Sequence, residues 1–512
     1  MKTPFFLANE LAAFLLPLLA ITFALAVESR WRRKILFGGQ LAALFCALMG
    51  WMLGLMHGAN QTLFDTGFLS WRLDVLTSSI VLGITFIAAV VFAFSERYLG
   101  GDPSRDKFLC MLSLLAPCAA CLVLTDNLIL AFACWHLLSI GLLQIMLLNA
   151  DSSRSPQTVF KYHLFSDLLF LLALVLVASN TQDIGFSHMQ AVLPSLNNSL
   201  RVFGLAIPVS VGAFASILLV LSFSIKSAIF PFNGWLLATL NAPTPLSGLL
   251  HAGVVNVSAV MAWRLAPLLQ EHPTVLLAWG LLAALSALVG TLCMSAQPDV
   301  KKKLVYSTVG QMGFMALQCA SGAIGAALFH LLAHGLFKCY MFLQSGSAVA
   351  EGLDKRKFGS IQVDAVHSAS SIWSKIFVMA LGAAASIGLY VLCVNNGFTG
   401  ISAAITACAL FCGMPALERI DFKSLSLFWI AVMGIVLGGG LLSSTFEHLV
   451  QVGASANQWL LPLVLALFAL ISIALQIGRN SSLAKALYVH SLSGFYVDEI
   501  SSGHSIAIAT RQ

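Results

Sequence analysis

The stretch SFSIKSAIFPFNGWLLATLNAPTPLSGLLHAGVVN, Ser222 to Asn256, decides how this chain is read. The run Leu205–Ile225 is apolar enough to cross a bilayer, yet Lys226 stands where hydrocarbon should continue. Soon after, Pro231 removes a backbone donor and breaks the helix. A second short helical piece is expected over Phe232–Leu240, then a turn at Pro243-Thr244-Pro245, then an apolar helix carrying His251 near its start. Irregular backbone and a basic side chain at membrane depth persist only where protein or a water-filled cavity surrounds them. A lysine snorkelling from a helix end is the simpler reading of Lys226. The break, the second helix and the nearby histidine favour an ion path.

Composition sets the class. Apolar residues make up 59% of the chain and charged residues 9%, with a mean hydropathy of +0.91. These values describe an all-α polytopic membrane protein. About fifteen spans are expected, over 5–27, 35–56, 73–95, 108–124, 128–149, 158–178, 207–230, 246–269, 274–296, 303–321, 324–348, 372–394, 401–417, 425–443 and 458–478. Residues 1–478 then form one transmembrane domain and 479–512 a short tail. The run over residues 2–26 is read as a retained first span, because the cationic cluster Arg30–Lys34 follows it. The cysteines fall mostly inside spans and suit small apolar fillers. Cys118-x-x-Cys121 has no second pair or histidine spaced to complete a zinc site.

With the N-terminus outside, eighteen lysines and arginines lie in cytoplasmic loops and four on the opposite side. That asymmetry places the C-terminus in the cytoplasm, and the net charge of +6 needs no nucleic-acid partner.

Ionisable residues inside spans are the candidates for function. Trp135-His136 lies in span five, where a lone histidine fits either packing or a relay. In span six, snorkelling accounts for Lys161 but not for Asp167, placed near mid-membrane at a cost of about 3 kcal/mol unless paired or protonated. His330, His334 and Lys338 recur every four residues, so they share one helical face about 6 Å apart along the axis. Three such groups in hydrocarbon form a polar stripe suited to a proton wire. Lys375, near the start of span twelve, fits either a pathway member or an interfacial cation. Gly438-Gly439-Gly440 reads as helix packing, and the sequence holds no P-loop or dinucleotide fingerprint. The tail segment Leu487–Ile500 carries Tyr488, Phe495 and Tyr496 without lysine or arginine, which favours a protein contact over a membrane-surface helix.

The segments KSAIFPFNGWLLATLNAPTPLSGLLHAG, DVKKKLVYSTVGQMGFM and FHLLAHGLFKCYMFLQSGS resemble the antiporter-like family that holds subunit L of respiratory complex I and the Mrp cation antiporters. The resemblance covers roughly residues 72 to 346 and implies a fold with a broken helix around Lys226–Pro231. It makes Lys226 the broken-helix lysine, His251 the span-eight histidine, and His330, His334 and Lys338 a central relay for protons or sodium. One departure stands out. The span-five glutamate that pairs with the broken-helix lysine is His136 here, which leaves Asp167 as a replacement counter-ion. Within the family, HAGVVN, RYLGGDP and LYVHSLSGFY look more like membrane subunits of bacterial inorganic-carbon accumulation complexes. That likeness implies an inner-membrane subunit without a catalytic site, and a peripheral cytoplasmic partner that carries zinc. A redox-driven pump subunit and a stand-alone sodium/proton antiporter are the rival readings.

Overall fold

The structure is a computed structural model and describes residues 3–57, 62–65, 70–148, 155–181, 184–202, 205–357, 445–446, 449–450, 455–478 and 481–497. The expected spans 372–394, 401–417 and 425–443, with Lys375 and Gly438-Gly439-Gly440, lie outside these residues. Lipid offers no partner to backbone polar groups, so long apolar runs close their own hydrogen bonds as helices. The first six are α1 (Thr3–Leu25), α2 (Ser29–His57), α3 (Val75–Tyr98), α4 (Arg105–Leu124), α5 (Leu128–Leu148) and α6 (Ser155–Thr181). After the short α7 (Met189–Leu196) come α8 (Val211–Lys226), α9 (Gly234–Ala238), α10 (Thr244–Ala252), α11 (Val257–Arg264) and α12 (Ala266–Gln270). Next are α13 (Pro273–Ala296), α14 (Val300–Ala320), α15 (Ile324–Lys357), α16 (Leu460–Ile477) and α17 (Ser482–Leu492). Among the described residues, nine segments are long and apolar enough to cross a membrane.

Side-chain caps fix several helix starts. Asp74 caps α3, accepting from Thr77 N–H at 2.7 Å while Thr77 Oγ1 accepts from Asp74 N–H at 3.0 Å. Asp299 caps α14, accepting from Lys302 N–H at 2.7 Å. Arg33 lies 3.8 Å from Glu96 and 3.7 Å from Asp106, which brings the start of α2, the end of α3 and the start of α4 to one face.

The described chain is mostly helical, as expected, with two short hairpins between helices: β1 (Thr62–Asp65) pairs antiparallel with β2 (Ser70–Leu73), and β3 (Ser199–Val202) with β4 (Leu205–Ser210). Two expected spans need correction. Span 207–230 is therefore shorter than its apolar run. Pro208 disfavours a helix interior, Ser210 Oγ caps Ala213 N–H at 3.1 Å, and α8 ends at Lys226. Span 246–269 is not one helix. α10 stops at Ala252, a 3-10 turn covers Val254–Asn256, and α11 resumes at Val257. His251 thus sits at the end of a helix, at a second break.

Close approach of helices rests on glycine where no Cβ would fit. A Cβ on Gly290 of α13 would collide with the backbone nitrogen of Gly310 on α14, and one on Gly313 would lie 2.6 Å from Ala287 N. This packing holds α13 and α14 behind the first break.

Candidate functional site

The end of α8 is built by backbone geometry first. Ala228 adopts a left-handed φ of 53°. Its N–H donates to Ile225 O at 3.1 Å, and Ile229 N–H donates to Ser224 O at 2.9 Å. This is the Schellman pattern, usually closed by glycine; alanine there costs about 1–2 kcal/mol. The surroundings impose it. Trp235 Nε1 donates to Ile225 O at 2.8 Å, Ser258 Oγ to Phe223 O at 3.2 Å, and Ser166 Oγ to Ser222 O at 3.0 Å. Phe230 N–H, ahead of a cis Pro231, donates to Ser286 Oγ at 2.9 Å. Protein side chains, not lipid, satisfy the broken backbone.

This cap aims Lys226 inward, and its side chain is fully buried (0% exposed). Nζ donates to Asp167 Oδ1 at 2.9 Å, Trp135 O at 3.0 Å and Ser139 Oγ at 2.5 Å. An ammonium has three donors, and all three are used. The Trp135 ring centroid lies 4.7 Å away, adding a cation–π contact. Asp167, 2% exposed and near the middle of α6, accepts from His136 Nδ1 at 2.8 Å on its other oxygen. His136 is 34% exposed and stacks on Phe132. On the far side, His163 Nδ1 lies 3.3 Å from Ser139 Oγ, and its ring meets Trp235 edge-on. His136, Asp167, Lys226, Ser139 and His163 form one connected hydrogen-bonded line.

The second break holds the other group. The His251 ring stacks on Phe342 of α15, centroids 4.3 Å apart, and among the described residues neither ring nitrogen has a protein partner. Asn256 Nδ2 donates to His251 O at 3.2 Å and reaches Leu331 O on α15 at 3.5 Å. Ser227 Oγ donates to Val255 O at 2.7 Å, so the two breaks are bonded directly to each other. Along α15, His330 and His334 are 6.0 Å apart between ring centroids. His334 lies within electrostatic range of His330, Lys338 and His251. Lys338 is buried and donates to Leu304 O at 3.2 Å. His330 Nδ1 lies 3.0 Å from Gln318 Oε1, and Nε2 lies 2.8 Å from Gln311 Oε1. An amide presents either oxygen or nitrogen, so this cradle serves both the neutral and the charged imidazole. Beside the break, Ser227, Ser258 and Trp279 line a cavity of about 10 Å³, at the lower limit for one water.

Of the residues singled out in the sequence, Lys226, Asp167 and His136 come together, as do His251, His334, Lys338 and His330. Lys161 does not join them; it is exposed on α6. Tyr488 is exposed on α17, whereas Phe495 is half-buried with its ring 6.4 Å from that of Phe230 at the first break. The turn Gly494–Tyr496 has three positive φ values, Gly494 lies against the Tyr306 hydroxyl, and Tyr496 packs on His490. Gln297 Nε2 donates to Leu492 O at 2.9 Å, tying the tail to the end of α13. The sequence reading missed His163, Ser139, Gln311 and Gln318. A helical signal existed for two sets: His163 precedes Asp167 by four residues, and Gln311 and Gln318 are seven apart.

The family described as NADH:quinone oxidoreductase/Mrp antiporter, TM matches residues 125–389, just over half of the chain. The chain belongs to that family. The matched range takes in both breaks and the α15 stripe. Among its relatives, a protein named probable inorganic carbon transporter subunit DabB2 from Halothiobacillus neapolitanus is 33% identical over 344 residues, 66% of this chain and 61% of the relative. A probable inorganic carbon transporter subunit DabB from Bacillus anthracis is 29% identical over 375 residues, 72% of this chain and 68% of the relative. NADH-ubiquinone oxidoreductase chain 5 from Candida albicans is 30% identical over 300 residues, 56% and 52% of the two chains. Against the first and last of these, the chain spans between half and two thirds of the relative's own length. The solved Mrp complex from Dietzia sp. DQ12-45-1b shares the fold, with a TM-score of 0.53 at 20% identity over 96% of this chain and 52% of that one.

Proposed function

We propose that this chain is the cation-conducting membrane subunit of an inorganic-carbon accumulation complex, in the part played by DabB-type subunits. Protons or sodium ions run down their gradient past Lys226, Asp167 and His136, then His251, then the His334, Lys338 and His330 stripe. The observation that carries this reading is a fully buried lysine held by one carboxylate at the end of a broken helix, where membrane carriers place their ion sites. The partner is a DabA-like peripheral zinc protein on the cytoplasmic side of a bacterial inner membrane. Zinc on that partner would supply the activated water for hydrating CO2 to bicarbonate, and the ion flux through this chain would make that hydration one-way. The charge asymmetry of the loops supports an external N-terminus and a cytoplasmic C-terminus.

The test is growth in air of a bacterial host without its own carbonic anhydrases, carrying this chain and the zinc protein. Wild type should restore growth, and Lys226→Ala at equal membrane abundance should not. Growth of that variant would make Lys226 a structural residue. Co-purification with redox subunits in place of a zinc protein would point to a respiratory pump.

A further inference from the structure

Away from both breaks, α1 carries a carboxyl that the ion path does not use. Glu10 is fully buried, and among the described residues neither oxygen has a hydrogen-bond donor of good geometry. The Ser78 hydroxyl of α3 stands beside it, also buried and without a well-formed bond of its own. Gly50 of α2 makes the room. A Cβ there would collide with Glu10 Oε1 and come within 2.9 Å of Cδ and 3.2 Å of Cγ. The titratable neighbours are Asp74, at the start of α3, and Cys46 on α2. Asp74 is already engaged by Arg72 Nε at 2.9 Å and by its own helix cap.

An ionised carboxylate in this notch would have no counter-charge among the described residues and only the Ser78 hydroxyl beside it, at a cost of several kcal/mol. A hard metal cation binds through many oxygen ligands at once, and the notch offers one carboxyl and one hydroxyl. A proton needs a single oxygen. We propose that Glu10 is a proton-binding site at the junction of α1, α2 and α3, separate from the Lys226–Asp167 pair and loaded from the membrane face marked by Arg72 and Asp74. The proposed route runs through Ser78. Ser78 lies one turn into α3 from Asp74, its N–H donating to Asp74 O at 3.0 Å. Glu10 lies about 10 Å along α1 from Thr3. In that step a hydronium entering at the rim gives a proton to Ser78 Oγ and is left as water, while the Ser78 O–H proton passes to the ionised Glu10 carboxylate, so the hydroxyl ends neutral and the carboxyl protonated. This site stands whether or not ions pass Lys226.

Infrared difference spectra test it on the full chain purified into lipid, wild type minus Glu10→Gln. The expected result is the carbonyl stretch of a protonated carboxyl at neutral pH, insensitive to sodium, that shifts on transfer to D2O. In Ser78→Ala the shift should be at least about tenfold slower. Absence of the band, a band that never shifts in D2O, loss of the band on adding sodium, or an unchanged rate in Ser78→Ala would each overturn the proposal. If Glu10→Gln fails to fold, dicyclohexylcarbodiimide on wild-type membranes gives the same answer by mass spectrometry. Modification of Glu10 unaffected by sodium supports the site; an unmodified Glu10 overturns it. Ion flux in Lys226→Ala is a separate readout, so failure of either claim is recognisable by itself.

Discussion

Lys226 Nζ and Asp167 Oδ1 are 2.9 Å apart, joining the broken end of α8 to the middle of α6 with both side chains buried. Neither side chain reaches the protein surface. Removing one partner of such a pair costs about 3–5 kcal/mol, because the other stays buried and uncompensated. Asp167→Asn should therefore impair ion flux about as strongly as Lys226→Ala. In the double variant the defects should not add, since both act on one interaction. Flux measured at matched protein levels across the four-member cycle decides this, and fully additive losses would show two independent roles.

The Gln311 and Gln318 amides hold the His330 ring from both nitrogens. Replacing both by leucine removes the protein groups that hydrogen-bond His330 in either protonation state. Ion flux should fall at least about tenfold, while thermal stability changes little. Unchanged flux in the double variant would take His330 out of the relay.

Gly290 and Gly310 set how closely α13 and α14 pack behind the break. Gly290→Val drives a branched side chain into the Gly310 backbone and should destabilise by about 1–3 kcal/mol or more. A lowered unfolding temperature of the purified chain in detergent is the expected reading. An unchanged midpoint would show that the helices separate at little cost.

Much of the site was legible in the sequence because hydrocarbon makes charge conspicuous. Lys226, Asp167, His251 and the α15 stripe could be picked out as residues that lipid does not tolerate. Other features could not be read. Pro231 marks the first break openly, but the second, after His251, arises at Gly253 in an otherwise apolar run with no proline to announce it. Its bond to the first, from Ser227 to Val255, joins positions that only the tertiary fold brings together. Serine is too common in membrane helices to stand out by type, so Ser139 emerged only from its distances. Glu10 was hidden by its place near the start of the chain, where an acidic residue reads as a helix end.

The tail's aromatic residues occupy two different environments. Phe495 faces Phe230 at the first break, whereas Tyr488 is 56% exposed on α17. Tyr488→Ala should weaken retention of the soluble partner during detergent purification without changing the unfolding temperature. Phe495→Ala should lower the unfolding temperature by exposing the break. Ending the chain after Arg479 should leave a membrane-inserted protein that loses the partner altogether. Recovery of the intact complex from that truncated chain would move the interface to other loops.

Passage of a cation past the Lys226–Asp167 pair is measured as ion flux into sealed vesicles holding the purified complex, driven by an imposed pH or sodium gradient, with wild type and Lys226→Ala inserted at equal density. Wild type should dissipate the gradient while CO2 is supplied, and Lys226→Ala should match empty vesicles. Equal flux from both proteins would contradict the account.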